Sequence, residues 1–148
     1  MSVRFNYRAV NPSALEAMLA FDRAASSSGV DQVIYELIKI RTSQINGCSY
    51  CIDYHVKDLL KLGEPMERAM MLSVWREMPI YSDKEKAALE LTECVTRISD
   101  SGVPQSVYER VLEHFSEKEY IDLIMAVNTI GSWNRLAIST GMYPGCFA

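Results

Sequence analysis

An all-α protein is what this sequence predicts, and three observations lead there. Apolar residues recur at helical spacing in almost every segment. Helix-start signals stand where those patterns begin: Asn11-Pro12, Asp31, and the capping boxes Ser82 to Glu85 and Ser116 to Glu119. No segment shows a convincing alternation of apolar and polar residues. At 148 residues the chain suits one domain, 1–148 with a core of 12–140, large enough to bury about 70% of the surface its unfolded form exposes.

About seven helices are expected. The first follows the Asn11 cap and Pro12, carries Leu15, Met18 and Leu19, and ends near Ser26 to Gly29. The second starts at Asp31 and carries Val33, Ile34, Leu37, Ile38 and Ile45. Its β-branched content permits a strand over 33–40, but the cap and two turns of periodicity favour a helix. Asn46-Gly47 interrupts it, and a third helix runs from Cys48 to Leu62 with Ile52, Val56, Leu59 and Leu60 as its buried stripe. A short methionine-rich helix begins at Glu64-Pro65. The fifth, behind the Ser82 capping box, places Ala87, Ala88, Leu91, Cys94, Val95 and Ile98 on one face. The sixth carries Val107, Val111 and Phe115, and the seventh runs from Ser116 to about Ser139, stopped at Gly141.

Composition narrows the function. A net charge of −4 and a pI near 5.2 argue against nucleic acid as a partner. The N-terminal residues lack the apolar region of a signal peptide, and no apolar run approaches the ~18 residues of a membrane span. The expected location is the reducing cytoplasm, with no membrane partner. There, a C-x-x-C pair points to catalysis or metal binding rather than to a structural disulfide.

That pair is Cys48 and Cys51, with His55 four residues beyond. On a helix the three lie within about 60° of one another, at the edge of the buried stripe, and so partly buried. Thiols react as thiolates, and a helix N-terminus or a nearby base favours that form. Spacing of three residues also permits a disulfide between the two sulfurs after modest adjustment. The first cysteine of such a pair is the more exposed, so attack is assigned to Cys48 and resolution to Cys51. A relay histidine needs a group to orient it, and Glu36, an acid inside the apolar run 33–38, is the candidate. Asp53 and Asp58 share a helix with His55 but are expected to point away and be solvated.

Glu36, Cys48, Cys51 and His55, within the stretch Glu36-Leu37-Ile38-Lys39-Ile40-Arg41 to Ile45-Asn46-Gly47-Cys48-Ser49-Tyr50-Cys51, closely resemble the AhpD-like branch of the carboxymuconolactone decarboxylase superfamily. The likeness continues through Trp75-Arg76-Glu77, Ser82 to Glu85 and Trp133-Asn134-Arg135-Leu136-Ala137. What it implies is an AhpD-like helical fold, a homo-oligomer (trimer or hexamer), and an alkylhydroperoxidase with peroxiredoxin-type activity. In that scheme Glu36 acts through water and His55 to help deprotonate Cys51, which activates Cys48. A lipoylated or thioredoxin-like dithiol protein then reopens the disulfide. No cofactor or metal is called for. AhpD proteins carry a second histidine between the cysteines, where this chain has Tyr50, and a phenol is no base at neutral pH.

Other readings stay open. C-x-x-C also occurs in zinc sites, which need four ligands, and His114, Cys94 or Cys146 would have to converge. The thiols could be inert core residues, or a redox sensor whose disulfide alters assembly. A lactone decarboxylase of the same superfamily does not call for a dithiol. Cys94 reads as a buried small hydrophobe, Cys146 as incidental, His114 as a surface residue, and Asn134 and Arg135 as supports of the site or of a subunit contact.

Overall fold

The computed structural model describes residues 2–147, and among them every regular element is helical. In chain order these are α1 (Tyr7–Val10), α2 (Pro12–Ser26), α3 (Gln32–Asn46), α4 (Ser49–Lys61), α5 (Met66–Met70), a 3₁₀ helix (Leu72–Glu77), α6 (Asp83–Thr96), α7 (Ile98–Ser101), α8 (Gln105–Leu112) and α9 (Glu117–Thr140). The number exceeds the seven expected because three short pieces, α1, the 3₁₀ helix and α7, form in segments too brief for periodicity to reveal.

α3 is the axis of the domain. Every residue from Ile34 to Ile40 is buried, which a helix achieves only when neighbours cover its whole circumference. α4, α6 and α9 are those neighbours. The strand alternative for 33–40 is thereby excluded. The Asp31 cap works as expected, its carboxylate accepting from the Val33 and Ile34 amides.

Two apolar clusters flank α3. One joins Ile34 and Ile38 to Ala88 and Leu91 of α6, Val107 and Val111 of α8, and Leu123 and Val127 of α9. The other joins Leu37 and Ile40 to Leu59, Leu72, Trp75 and Tyr81. Cys94 packs at the edge of the first cluster, half-buried. Ile98, expected on the α6 stripe, is exposed. The chain leaves helical geometry at Arg97 (φ −107°, ψ 45°), so Ile98 starts a separate turn and loses the register of the stripe.

Both capping boxes form: the Ser82 and Ser116 hydroxyls accept from the Glu85 and Glu119 amides, and the Ser82 and Ser116 amides donate back to the Glu85 and Glu119 carboxylates. α9 is the longest helix at 24 residues and runs along α3, α2 and α6. None of the helices in the described residues is long and apolar enough to cross a membrane.

Candidate active site

The link between α3 and α4 sets the site. Gly47 adopts a left-handed conformation (φ 74°) open to glycine without cost. Its amide bonds Gln44 O and Ser43 O, and the Cys48 amide bonds Ser43 O at 2.9 Å. This closes α3 and leaves Cys48 as the N-cap of α4, extended at φ −93°, with Cys51 and His55 on the first two turns.

Burial is deeper than expected. Cys48 is 1% exposed, Cys51 4% and His55 8%, because α4 packs on α3 and α9 while Tyr7 of α1 and Met142 close over the sulfurs. The premise that the first cysteine is the more exposed therefore fails. Both are free thiols, and Cys51, not Cys48, lines the adjacent cleft.

Electrostatics separates the two thiols where exposure does not. A hydrogen bond from the Cys51 thiol pulls the Cys48 pKa down to about 7, against the opposing effect of burial. The backbone N–H groups of Cys51 and Tyr50 and the Asn134 amide add to the pull. The same bond, together with burial and repulsion from a Cys48 thiolate, pushes the Cys51 pKa far up. Above about pH 7 the pair thus holds one proton, on Cys51.

Asn134 comes from α9 and is 1% exposed. Its Nδ2 donates to Ser43 Oγ at 3.0 Å, and its Oδ1 accepts from Asn46 Nδ2 at 3.0 Å, so the amide is fixed beside both sulfurs. Its neighbour Arg135 is exposed.

Glu36 and His55 meet across the α3–α4 interface. The carboxylate Oε2 lies 2.9 Å from Nδ1, a direct contact. With Nδ1–H donating to the acid, the lone pair of the ring rests on Nε2. The other oxygen, Oε1, accepts from Lys39 Nζ at 3.3 Å, and that ammonium sits 4.0 Å from the centre of the Tyr35 ring. Glu36 and Lys39 are 8% and 7% exposed. The exposed Tyr54 ring stands edge-on to the imidazole at 5.1 Å.

Asp58 departs from expectation. Three residues after His55, it lies on the same face of α4, lines the cleft, and brings an oxygen within 4.8 Å of ligand atoms on Glu36 and His55. Glu36, His55 and Asp58 therefore have the spacing of a cation site, in which Lys39 Nζ already supplies a positive charge to Glu36. The four-ligand zinc alternative around the thiols finds no such grouping among the described residues. Cys94 belongs to the first core cluster, His114 is half-buried on the turn after α8, and Cys146 alone packs near the thiols.

A cleft of about 470 Å³ opens beside Cys51 and His55, within the usual size of small-molecule sites. Arg8, Lys39, Asp22 and Asp58 give it charge; Leu15, Leu19, Trp133 and Met142 give it apolar wall. Sequence reasoning missed Arg8, for which nothing in the sequence speaks. The Asp58 signal, its spacing from His55, was present and misjudged by angle.

Comparisons with known proteins agree with this architecture. The sequence profile of the carboxymuconolactone decarboxylase family matches residues 12–93, and the chain belongs to that family. Within it the chain is AhpD-like. An uncharacterised Bacillus subtilis protein, YdfG, is 43% identical over 141 residues, covering 95% of this chain and 96% of the relative. A crystal structure from Agrobacterium tumefaciens, of a protein of unknown function described as a candidate AhpD antioxidant defence protein, superposes with TM-score 0.93. It is 36% identical and covers 97% and 99% of the two chains. A peroxidase-related protein with an AhpD core from Ralstonia eutropha superposes with TM-score 0.82 at 26% identity, over 93% of this chain and 74% of that one.

Proposed function

We propose that the protein is a thiol peroxidase of the AhpD type, reducing hydroperoxides through a Cys48–Cys51 dithiol/disulfide cycle. The single observation that carries this reading is the polarised thiol pair: Cys48 lowered to about pKa 7 by a hydrogen bond from Cys51, one turn before a histidine held by a buried acid. The Cys48 thiolate attacks the distal oxygen of ROOH, the O–O bond breaks, and the alkoxide leaves as ROH with a proton supplied through Cys51 and His55. The product on the enzyme is the Cys48 sulfenic acid. Cys51 attacks that sulfur, hydroxide leaves as water, and a disulfide remains. Two thiols have then given two electrons to one peroxide. An external dithiol, lipoylated or thioredoxin-like, reopens the disulfide by exchange and is itself oxidised. Glu36 fixes the ring through Nδ1.

A reducing cytoplasm suits such a cycle, and assembly into a homo-oligomer belongs to the same proposal. Ile52, Val56, Leu60 and Met66 line an apolar groove on the outer side of α4, which assembly would cover. Light scattering on the purified protein measures it.

One equivalent of hydrogen peroxide is expected to consume two thiols and join Cys48 to Cys51, read by peptide mass spectrometry. Cys48→Ser is expected to abolish turnover with a dithiol donor. Peroxide consumption unchanged in the Cys48→Ser/Cys51→Ser double variant would overturn the reading.

A further inference from the structure

The cleft beside the thiols carries a cation that the peroxidase chemistry does not use. Lys39 is neutralised by Glu36, Asp58 pairs with Lys61, and Asp22 accepts from the Trp133 indole at 3.3 Å. Arg8 differs. Among the described residues its guanidinium makes no ion pair, and the hydroxyls beside it are the neutral phenols of Tyr50, to which Nη2 donates at 3.2 Å, and Tyr7. Its Nε is buried without an acceptor.

The guanidinium is also held in place. It lies over the Tyr7 ring at 5.9 Å and the Phe147 ring at 5.7 Å, and the phenol it donates to belongs to the residue between the two cysteines. The half-buried guanidinium lines a small-molecule cleft, and with only neutral phenols beside it, it is short of one acceptor and one negative charge. A planar carboxylate supplies both, because the fork of an arginine matches it in a bidentate way. The remaining wall of Leu15, Leu19, Trp133 and Met142 is apolar.

We propose that the cleft takes an organic hydroperoxide bearing a carboxylate on an apolar chain or ring, with Arg8 as the anchor of the carboxylate. This rests on the peroxidase reading and gives it a substrate class. The anchor holds the inert end of the molecule while the hydroperoxide enters beside Cys51 and His55 to reach the Cys48 sulfur. The carboxylate is unchanged by turnover, and the product is the corresponding hydroxy acid. Arg8 touches the substrate but takes no part in the chemistry, and Asp22 and Asp58 disfavour a second anionic group.

The test compares linoleic acid 13-hydroperoxide with its methyl ester, on wild type, Arg8→Gln and Arg8→Lys, with dihydrolipoamide as donor. Wild type is expected to favour the acid by about 10-fold or more in kcat/KM, the worth of a charge-assisted hydrogen bond. That preference collapses toward unity in Arg8→Gln and is partly kept in Arg8→Lys, with thermal melts confirming that each variant is folded. Equal rates for acid and ester in wild type, or a preference that survives in Arg8→Gln, overturn the proposal. So does an Arg8-dependent preference for dihydrolipoate over dihydrolipoamide without any preference among hydroperoxides, which would assign the carboxylate to the reductant. Calorimetric binding of the unreactive 13-hydroxy acid to Cys48→Ser, with and without Arg8→Gln, separates the two levels of inference. Loss of all peroxide turnover with Arg8-dependent binding intact defeats the peroxidase reading and leaves the anchor. Absence of Arg8-dependent binding defeats the anchor.

Discussion

Two glutamates with largely covered side chains, Glu36 of α3 and Glu93 of α6, differ in their partners. A covered acid is expensive unless something pairs with it. Glu93, on α6, is saturated: Oε1 accepts from Arg41 Nε and from the Trp75 indole at 3.0 Å each, and Oε2 lies 2.8 Å from Arg76 Nη1. Burial opposes its ionisation, yet these donors together hold its pKa below the ordinary value. Glu36 has one lysine and one imidazole, and the imidazole opens on the cleft. An acid whose partners are permanent cations and an indole ties elements together. An acid whose partner can gain and lose a proton can serve a reaction.

The largest test of this contrast is Glu93→Ala. Removing it strands the half-buried Arg41 and the indole, and urea unfolding is expected to show a loss of about 3 kcal/mol, the low end of the range for breaking a largely covered ion pair. Folded protein should retain near-wild-type specific activity. If activity falls as steeply as stability, Glu93 is not merely structural.

His55→Gln and Glu36→Gln probe the other side. Loss of a positioned acid–base group costs about 100-fold in rate, and loss of the group that orients it about 10-fold, so the expected order is His55 below Glu36 below wild type in kcat/KM for hydrogen peroxide. Glu36→Gln keeps a hydrogen-bond acceptor for Nδ1, and its melting temperature should move less than that of Glu93→Ala. A reversed order in the thermal melts breaks the contrast.

Reactivity of Cys48 gives a smaller and sharper test. Its depressed pKa means the thiolate prevails above about pH 7 and is protonated below. Alkylation at Cys48 should therefore slow as pH falls through 7, approaching about tenfold per unit below it. Asn134→Ala removes one bond to the thiolate and should move the midpoint upward by about half to one unit, measured by iodoacetamide kinetics with mass-spectrometric site assignment. The smallest effect belongs to Asp58→Asn. Its side chain is partly exposed and already paired with Lys61, so turnover should change by no more than about threefold.

Much of the site was legible because local rules made it so. The Asp31 and Ser82 caps, the Asn46-Gly47 stop and the three-residue spacing of the thiols depend on neighbours within one or two turns. Those rules placed Cys48 at a helix start and put Cys51 and His55 on one face. Glu36 was found by a cost argument, an acid in the apolar run 33–38, but Glu93, in a helix rich in charge, gave no such signal. Its partners depend on which elements lie against α6, and that is a tertiary matter.

What the sequence determined by itself, then, was the all-helical class, the helix boundaries where caps are strong, and the chemistry of a dithiol beside a histidine. Tertiary structure alone decided how deeply the thiols lie, which of them meets the cleft, that Asn134 from 86 residues beyond Cys48 stands beside both sulfurs, and that Arg8 faces the same space. The reason is physical. Capping and spacing act through bonds a few residues long, whereas burial, a shared proton and an unpaired cation arise only when distant segments exclude water from the same volume.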